Sequence, residues 1–492
     1  MRFGSLPYPT PSPPLESDMS TSRTDSLEKD TSSIEKIESS LDVDPAFERR
    51  TLFQVDLRVL PLLSLLCAFN SIDKSNLGLV YAAGMGETLN LTAGSRYTLV
   101  ACMYSVPFIL LQLPGTLGLR RFGVRNWLTF MVGAWGAVAL SMGFVKSWQS
   151  LLVTRMLLGT FQAPFFASLL WIIAAWYRRD QIQKRTAVWY LISLLMNAFS
   201  PLIAYGLSLL DGKRGLEGWR WIFIVEGTIT LVLACLSFFF LPCFPEQNKF
   251  LTKEQTALII RRIDEDRGDA LPDVITFQKV KTHLSDWTLW GYGFIVMCGT
   301  LPIAVQGLFV PIILGGMGYD SKGVLLRVAA SFTPAVPTTM AVAYFADKYQ
   351  HRSSFIAGGA LLCVLGNSLL AWHQNDNVRY FGVFLTNAAN SAATTSALTW
   401  ASTNVVSHSK RAVQTAVVVA LAEFGFFLAS TVFRSQDAPR YIPGLIATLA
   451  SQGVVLLLLC AIVTRHRYRN KQMREGKLTA PLEGQEGFYY TF

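Results

Sequence analysis

Apolar segments long enough to cross a membrane recur about a dozen times along this chain of 492 residues. A helix of about 20 apolar residues spans the roughly 30 Å of hydrocarbon in a bilayer. Apolar residues make up 51% of the chain and charged residues only 15%, whereas soluble domains carry about 25% charged residues. The pattern therefore predicts an all-α integral membrane protein whose soluble parts are confined to its tails and one connecting stretch.

The apolar segments form two sets of six. They lie near 56–80, 94–117, 124–145, 149–176, 185–210 and 219–242, and then near 286–314, 321–346, 353–373, 378–402, 411–434 and 442–464. This spacing predicts 12 transmembrane helices in two six-helix bundles, 51–242 and 286–465, joined by a cytosolic connector, 243–285. Residues 1–50 are rich in Ser, Pro and charge, so we expect a disordered cytosolic tail there. Residues 466–492 are expected to form a second cytosolic tail, also without fixed structure.

Both halves carry a basic cluster between their second and third apolar segments. The first cluster is centred on Arg120 and Arg121, and the second on Lys348 and Arg352. Such a repeat is typical of a duplicated transporter with two pseudo-symmetric bundles. Charge that merely marks the cytosolic loops is the alternative explanation.

The positive charges also predict which way the chain crosses the membrane. Loops on the N-terminal side of the spans carry more than twice as many lysines and arginines as the opposite loops, so both termini are expected to be cytosolic. The sequon at Asn90 falls in the first external loop, which predicts a glycosylation site. The formal net charge of +10 does not indicate nucleic-acid binding, because the basic residues are spread over these loops.

Signatures of enzymes and of ATP-driven pumps are missing from the sequence. The five histidines have no metal-ligand spacing, and no phosphate-binding loop of the Walker type is present. We therefore expect neither an enzyme nor a metal site, and no cofactor beyond a proton gradient.

Several motifs in order along the chain are similar to those of one known group. They are Asp56-Leu57-Arg58-Val59-Leu60-Pro61, Asp73-Lys74-Ser75-Asn76-Leu77-Gly78, Arg155-Met156-Leu157-Leu158-Gly159, Trp219-Arg220-Trp221, Phe244-Pro245-Glu246, Lys410-Arg411-Ala412 and Asp437-Ala438-Pro439-Arg440-Tyr441. Over roughly residues 50–465 the chain resembles the major facilitator superfamily, and within it the fungal anion:cation symporters related to allantoate permease. The resemblance implies two bundles around a cavity that opens alternately to each side. It also implies proton-coupled transport of small organic anions.

Two cations at the same membrane depth are the first candidates for a solute site. Lys74 lies about 24 Å along the helix from Arg58, and Arg155 lies about 10 Å from the outer end of its span. Both therefore fall in the outer half of the membrane, where Arg and Lys together can bind a carboxylate. A pairing of Lys74 with neighbouring Asp73 is the alternative, although adjacent helical residues point about 100° apart.

Carboxyl groups inside the spans are the candidates for proton coupling. Asp73 can take a proton when a solute removes the field of a nearby cation, unless it forms a purely structural ion pair with Arg155. Glu423 lies about 18 Å from Arg411 along its helix, near mid-membrane, where an unpaired carboxylate is costly. Arg327 is a candidate partner of Glu423 or a third substrate-binding cation, unless it lies near the outer surface.

Three positions depart from the group that the chain resembles. Gln162 stands where related acid symporters have a Glu linked to proton coupling, so it can bind a solute but cannot carry a proton. Lys74 stands where members usually have Arg, and Glu423 where an uncharged residue is expected.

Taken together, the sequence predicts a monomeric multi-pass carrier in the fungal plasma membrane that imports a small organic anion with a proton. An exporter or uniporter of a fungal metabolite is one alternative, motivated by Gln162. A nutrient-sensing transceptor that signals through its tails is the other.

Overall fold

Helices account for nearly all of the computed structural model, which describes residues 45–241, 245, 248, 250–268, 276–478, 481–484 and 487–492. In the first half they are α1 Pro45–Ser75, α2 Leu77–Val80, α3 Gly86–Thr88, α4 Arg96–Phe122, α5 Val124–Met142, α6 Trp148–Gln162, α7 Phe165–Trp176, α8 Arg179–Ser208 and α9 Gly218–Phe240. The connector contributes α10 Lys253–Gly268 and α11 Phe277–Leu284.

The second half repeats this arrangement. Its helices are α12 Trp287–Leu308, α13 Val310–Gly315, α14 Ser321–Phe332, α15 Ala335–Tyr349, α16 Arg352–Trp372, α17 Asp376–Thr403, α18 His408–Val432 and α19 Ile442–Arg474. Breaks at Pro164 and Pro334 divide α6 from α7 and α14 from α15, because proline lacks the N–H that a continuous helix needs. Within the described residues, eight helices or joined helix pairs are long and apolar enough to cross a membrane. The all-α prediction is confirmed.

The two bundles meet at one end of the molecule, which we call the far end and which carries the loops 89–95 and 433–441. The loops 177–178 and 404–407 lie at the other end, which we call the basic end. A Cβ built on Gly78 would overlap the main-chain oxygens of Gly307 and Leu308, so only glycine lets the backbones of α2 and α12 come this close.

Aromatic side chains complete this far-end closure. The Tyr97 hydroxyl donates to the Leu308 carbonyl at 2.6 Å, and its ring meets that of Phe309 across the bundle interface. The Phe309 ring in turn stacks on Phe433, 4.8 Å between centroids, and Phe433 lies against Tyr441. The two bundles are therefore sealed against each other at the far end.

The predicted tail 1–50 is wrong for its last residues, which form the first turns of α1. Pro45 suits the first turn of a helix because its missing N–H would have no partner there. Glu48 in the same turn pairs with Arg262 of α10 at 2.7 Å, which ties α1 to the connector. The rest of that predicted tail, residues 1–44, lies outside the described residues.

The prediction of an unstructured tail at 466–492 is also wrong, because α19 continues to Arg474 and the segment 487–492 packs back onto the second bundle. The main chain of Tyr490 exchanges two hydrogen bonds with the Asn470 amide, and its ring stacks on His466. The Thr491 N–H donates to Asn404 Oδ1 at 2.8 Å, and Trp400 Nε1 donates to the Thr491 carbonyl. Side-chain amides and one indole hold this segment, so hydropathy gives no sign of it.

A network of charged side chains at the basic end also holds Glu483, which lies just before the segment 487–492, against the second bundle. Lys410 lies 2.8 Å from both Asp286 and Glu483. Burial raises the pKa of Asp286, but hydrogen bonds from Lys410 and Thr288 outweigh it and lower the pKa to about 2. Because folding lowers this pKa, the Asp286 carboxylate stabilises the fold at every pH above the ordinary pKa of an aspartate. That contribution is lost as the pH falls from the ordinary pKa toward 2.

We expect Asn404→Ala to loosen the segment 487–492, because it removes the partner of the Thr491 N–H at a cost of about 1–3 kcal/mol. The check is limited proteolysis of the purified protein, and the readout is the rate of cleavage after Phe488, Tyr489 or Tyr490. Asn377→Ala, at the exposed far end of the same helix, is the matched control. Equal cleavage of the two variants would contradict the assignment.

Candidate functional site

An ion pair between Lys74 and Glu423 links the two bundles inside the molecule. Lys74 Nζ lies 2.6 Å from Glu423 Oε2, and the two side chains are 17% and 5% exposed. Ser105 of α4 donates to Glu423 Oε1 at 3.1 Å. Glu423 is therefore held by side chains from two helices of the first bundle, Lys74 of α1 and Ser105 of α4.

Three aromatic rings surround the Lys74 ammonium. Its Nζ lies 3.6 Å from the centre of the Phe426 ring and within 5.8 Å of the Tyr104 and Phe108 rings. An ammonium over ring faces is stabilised by the negative charge of the π system, most strongly where water is excluded. The pair therefore combines a carboxylate and aromatic faces around one cation, an arrangement we call the ammonium cage (Tyr104, Ser105, Phe108, Glu423 and Phe426).

Glycines bring the helices of this site close enough to meet. A Cβ on Gly159 would overlap the Tyr104 carbonyl, so the missing side chain lets α6 pack tightly on α4. Arg155 and Gln162 lie one turn to either side of Gly159, which presents both to Tyr104. Gly425 does the same for α18, because a Cβ there would overlap the Met297 carbonyl of α12.

A cavity beside the ion pair brings Lys74 and Arg155 together. Its lining consists of these two cations, polar and aromatic side chains, and a few apolar ones: Leu77, Ala101, Tyr104, Ser105, Leu308, Phe426 and Ser430. Leu77 and Leu308 belong to the far-end closure, so the cavity ends just beneath it. Two positive groups thus face one small enclosed space.

Neutral acceptors hold the Arg155 guanidinium, which is 1% exposed. It donates to the main-chain oxygen of Asp73 at 3.2 Å and to Asn76 Oδ1 at 3.3 Å. The structure gives Arg155 Nε no hydrogen-bond partner. Among the described residues, no carboxylate lies within ion-pair distance of this guanidinium, which therefore retains the capacity to bind an anion.

Asp73 and Glu226 lie behind Arg155, both 3% exposed. Trp135 Nε1 donates to Asp73 Oδ2 at 2.8 Å, and the Asn76 amide donates to Glu226 Oε2. Glu226 is connected to Arg155 through Asn76, whose Oδ1 accepts from the guanidinium. Asp73 makes no ion pair with Lys74, which turns instead toward the other bundle.

The other candidate residues lie apart from the ion pair. Gln162 is buried, accepts from the Tyr104 hydroxyl at 2.7 Å and has no partner for its Nε2. Arg327 packs over the Tyr319 ring near the far end of α14 and bonds Gly323, so it is not the partner of Glu423. Asn90 is exposed in the far-end loop, where its sequon remains a prediction.

Ser105, Phe108, Phe426 and Asn76 are among the site residues that the sequence does not single out. Phe426 lies three residues after Glu423, so helical periodicity places both on one face. Ser105 and Asn76 give no such signal, because polar residues in membrane helices more often join helices than bind solutes.

Comparisons with known proteins assign the whole arrangement to one family. A model described as Major Facilitator Superfamily matches residues 63–430. The chain is 30% identical to the major facilitator-type transporter hxnP of Emericella nidulans, covering 88% of this chain and 89% of that one. It is 27% identical to the high-affinity nicotinic acid transporter of Saccharomyces cerevisiae, covering 87% and 79%.

Solved structures give the same fold. The inward-open xylose transporter XylE from E. coli superposes with a TM-score of 0.64 at 15% identity, over 82% of this chain and 95% of that one. An inward-facing bacterial homologue of the human lysosomal transporter Spinster superposes with a TM-score of 0.62 at 14% identity, over 82% and 95%. At these identities the likeness supports the fold alone.

Breaking one side of the ion pair is expected to destabilise the protein more than removing both sides. Lys74→Met leaves the Glu423 carboxylate buried without a cation, at a cost of about 3 kcal/mol. The double variant Lys74→Met/Glu423→Gln is expected to recover most of this loss, because no unpaired charge remains. The measurement is the thermal unfolding midpoint of the purified protein.

Asp437→Asn serves as the control, because its partner Arg434 is 54% exposed and such pairs contribute no more than about 1 kcal/mol. A single variant as stable as the double variant would show that the pair does not stabilise the bundle interface.

Proposed function

This chain belongs to the Major Facilitator Superfamily, and on that premise we propose that it imports a small organic anion together with a proton. It is a secondary transporter in a membrane that it crosses several times, and not an enzyme. The anion and the proton are the part we propose.

The observation that carries this proposal is that Arg155 and Lys74, the ion-pair partner of Glu423, line one cavity. Arg155 offers a planar guanidinium for two-point contact with a carboxylate, and Lys74 offers a compact second charge. Both side chains line the same small cavity. A relative described as a nicotinic acid transporter supports a carboxylate as the cargo.

Coupling to a proton follows from the same pair. When a solute carboxylate draws Lys74 away, Glu423 loses its only ion-pair partner among the described residues. A carboxylate left in a site that excludes water binds a proton more readily. Loss of the ion pair also removes a link between the bundles, so solute and proton together favour their separation. Asp73, behind Arg155, is the second group proposed to take a proton.

The direction of transport depends on sidedness. We assign the basic end to the cytosol, because basic loops are retained on that side. On this assignment the far-end closure seals the external entrance, and the plasma membrane is the proposed location.

An exporter or uniporter remains the second candidate function, and Gln162 is the observation that favours it. Its amide bonds the Tyr104 hydroxyl in the position where the resembled symporters have a carboxyl group. A carrier without that carboxyl group and without another proton site would run down the gradient of its solute.

Uptake into transporter-deficient yeast tests the proposal. We expect one or more of radiolabelled allantoate, nicotinate, pantothenate or biotin to accumulate, and a protonophore to abolish the accumulation. Arg155→Ala serves as the blank and is expected to lower uptake by about a hundredfold, since a buried charged contact is worth 2–5 kcal/mol. Uptake that the protonophore leaves unchanged would exclude the symport mechanism and support uniport.

Two isosteric variants then locate the proton. Glu423→Gln and Asp73→Asn are each expected to preserve exchange of labelled for unlabelled solute while reducing proton-driven accumulation. A variant that accumulates solute as the wild type does would remove that carboxyl group from the coupling mechanism.

A further inference from the structure

We propose that the preferred solute of this carrier is a zwitterion, a carboxylate that also bears a positively charged nitrogen. The inference rests on the proposed function, because it takes the Lys74–Glu423 site as the place where solute binds. It adds that Glu423 and its aromatic neighbours form a subsite for a cation.

Glu423 has a requirement that an anionic solute does not meet. Its two oxygens contact Lys74 Nζ and the Ser105 hydroxyl, and its residue is 4% exposed. If a solute carboxylate takes Lys74, only the hydroxyl remains for Glu423, and a buried carboxylate without a cation is unfavourable. A proton can meet the need, and so can a positive charge on the solute itself.

The ammonium cage already has the composition that recognises an alkylated nitrogen. A carboxylate lies on one side of the cation and the Phe426 ring on another, with Tyr104 and Phe108 within 6 Å. Aromatic faces bind any cation that loses its water, not lysine alone. The Lys74 ammonium therefore marks the position that a solute nitrogen would take.

The negative end of such a solute also finds its partners in the same cavity. Lys74, displaced from the cage, and Arg155 both line it. Arg155 is held by a main-chain carbonyl and the Asn76 amide, and its Nε has no partner. A zwitterion thus gives Glu423 a cation and gives both cations an anion, whereas a simple anion leaves Glu423 without a cation.

Pairs of solutes that differ only in charge test this. Glycine betaine and 3,3-dimethylbutanoate have the same shape, one with N⁺ and one with carbon at the centre of the trimethyl group. N-methylnicotinate and nicotinate form a second pair on a flat ring. Binding is measured as ligand-dependent thermal stabilisation of the purified full chain, and transport as inhibition of labelled uptake.

We expect the wild type to bind the zwitterion of at least one pair about tenfold more tightly than its anionic counterpart. Glu423→Gln, which removes the charge and keeps a partner for Ser105, is expected to abolish or reverse this preference. Phe426→Leu is expected to weaken the zwitterion about fivefold and to leave the anion nearly unchanged. Glu87→Gln, at an exposed far-end position, makes the same chemical change and is expected to bind as the wild type does.

An anion that binds as tightly as its zwitterionic counterpart in both pairs overturns the inference and leaves the proposed anion symport intact. A zwitterion preference that survives Glu423→Gln overturns the assignment of the cation subsite. If neither member of either pair binds or inhibits, both this inference and the proposed site for small carboxylates fail.

Discussion

The attraction between Lys74 and Glu423 is the only ion pair between the two bundles among the described residues, and the proposed solute site is arranged around it. Other described contacts between the bundles are close main-chain approaches, as at Gly78, aromatic contacts, as at Tyr97, and hydrogen bonds from the Tyr97, Thr98 and Ser105 hydroxyls. Such contacts depend on shape and respond weakly to a charged solute. An ion pair in a site that excludes water responds strongly, because a competing charge changes its energy directly. In the proposed mechanism, the pair is therefore the contact through which a charged solute acts on the bundle interface.

Most of the fold can be predicted from the sequence, because a bilayer admits little besides apolar helices. The helical character of the chain and the eight described helices or joined helix pairs that are long and apolar enough to cross a membrane follow from hydropathy. The ends of the chain do not. The first turns of α1 depend on Glu48 meeting Arg262, and the segment 487–492 depends on amide contacts with Asn404 and Asn470. Contacts between distant polar residues leave no periodic pattern, so hydropathy cannot reveal them.

The same distinction applies to the candidate site, where position along a helix can be predicted and contacts between helices cannot. Depth along a helix follows from a fixed rise per residue, so Lys74, Arg155 and Glu423 could be identified and placed from counting. The partner of each charge could not, since it depends on how helices rotate and cross. Arg327 was a reasonable partner for Glu423 by depth, yet it lies over Tyr319. Glu226 is connected to Arg155 through Asn76, which periodicity does not single out.

Lys74 and Glu423 are two of the positions at which this chain departs from the group it resembles, and they form one ion pair although 349 residues separate them. Replacement of either residue by a neutral one leaves a single charge inside the membrane, where it is costly. A change at either position therefore calls for a compensating change at the other, or for a different partner for the charge that remains, although the two residues lie in different halves of the chain.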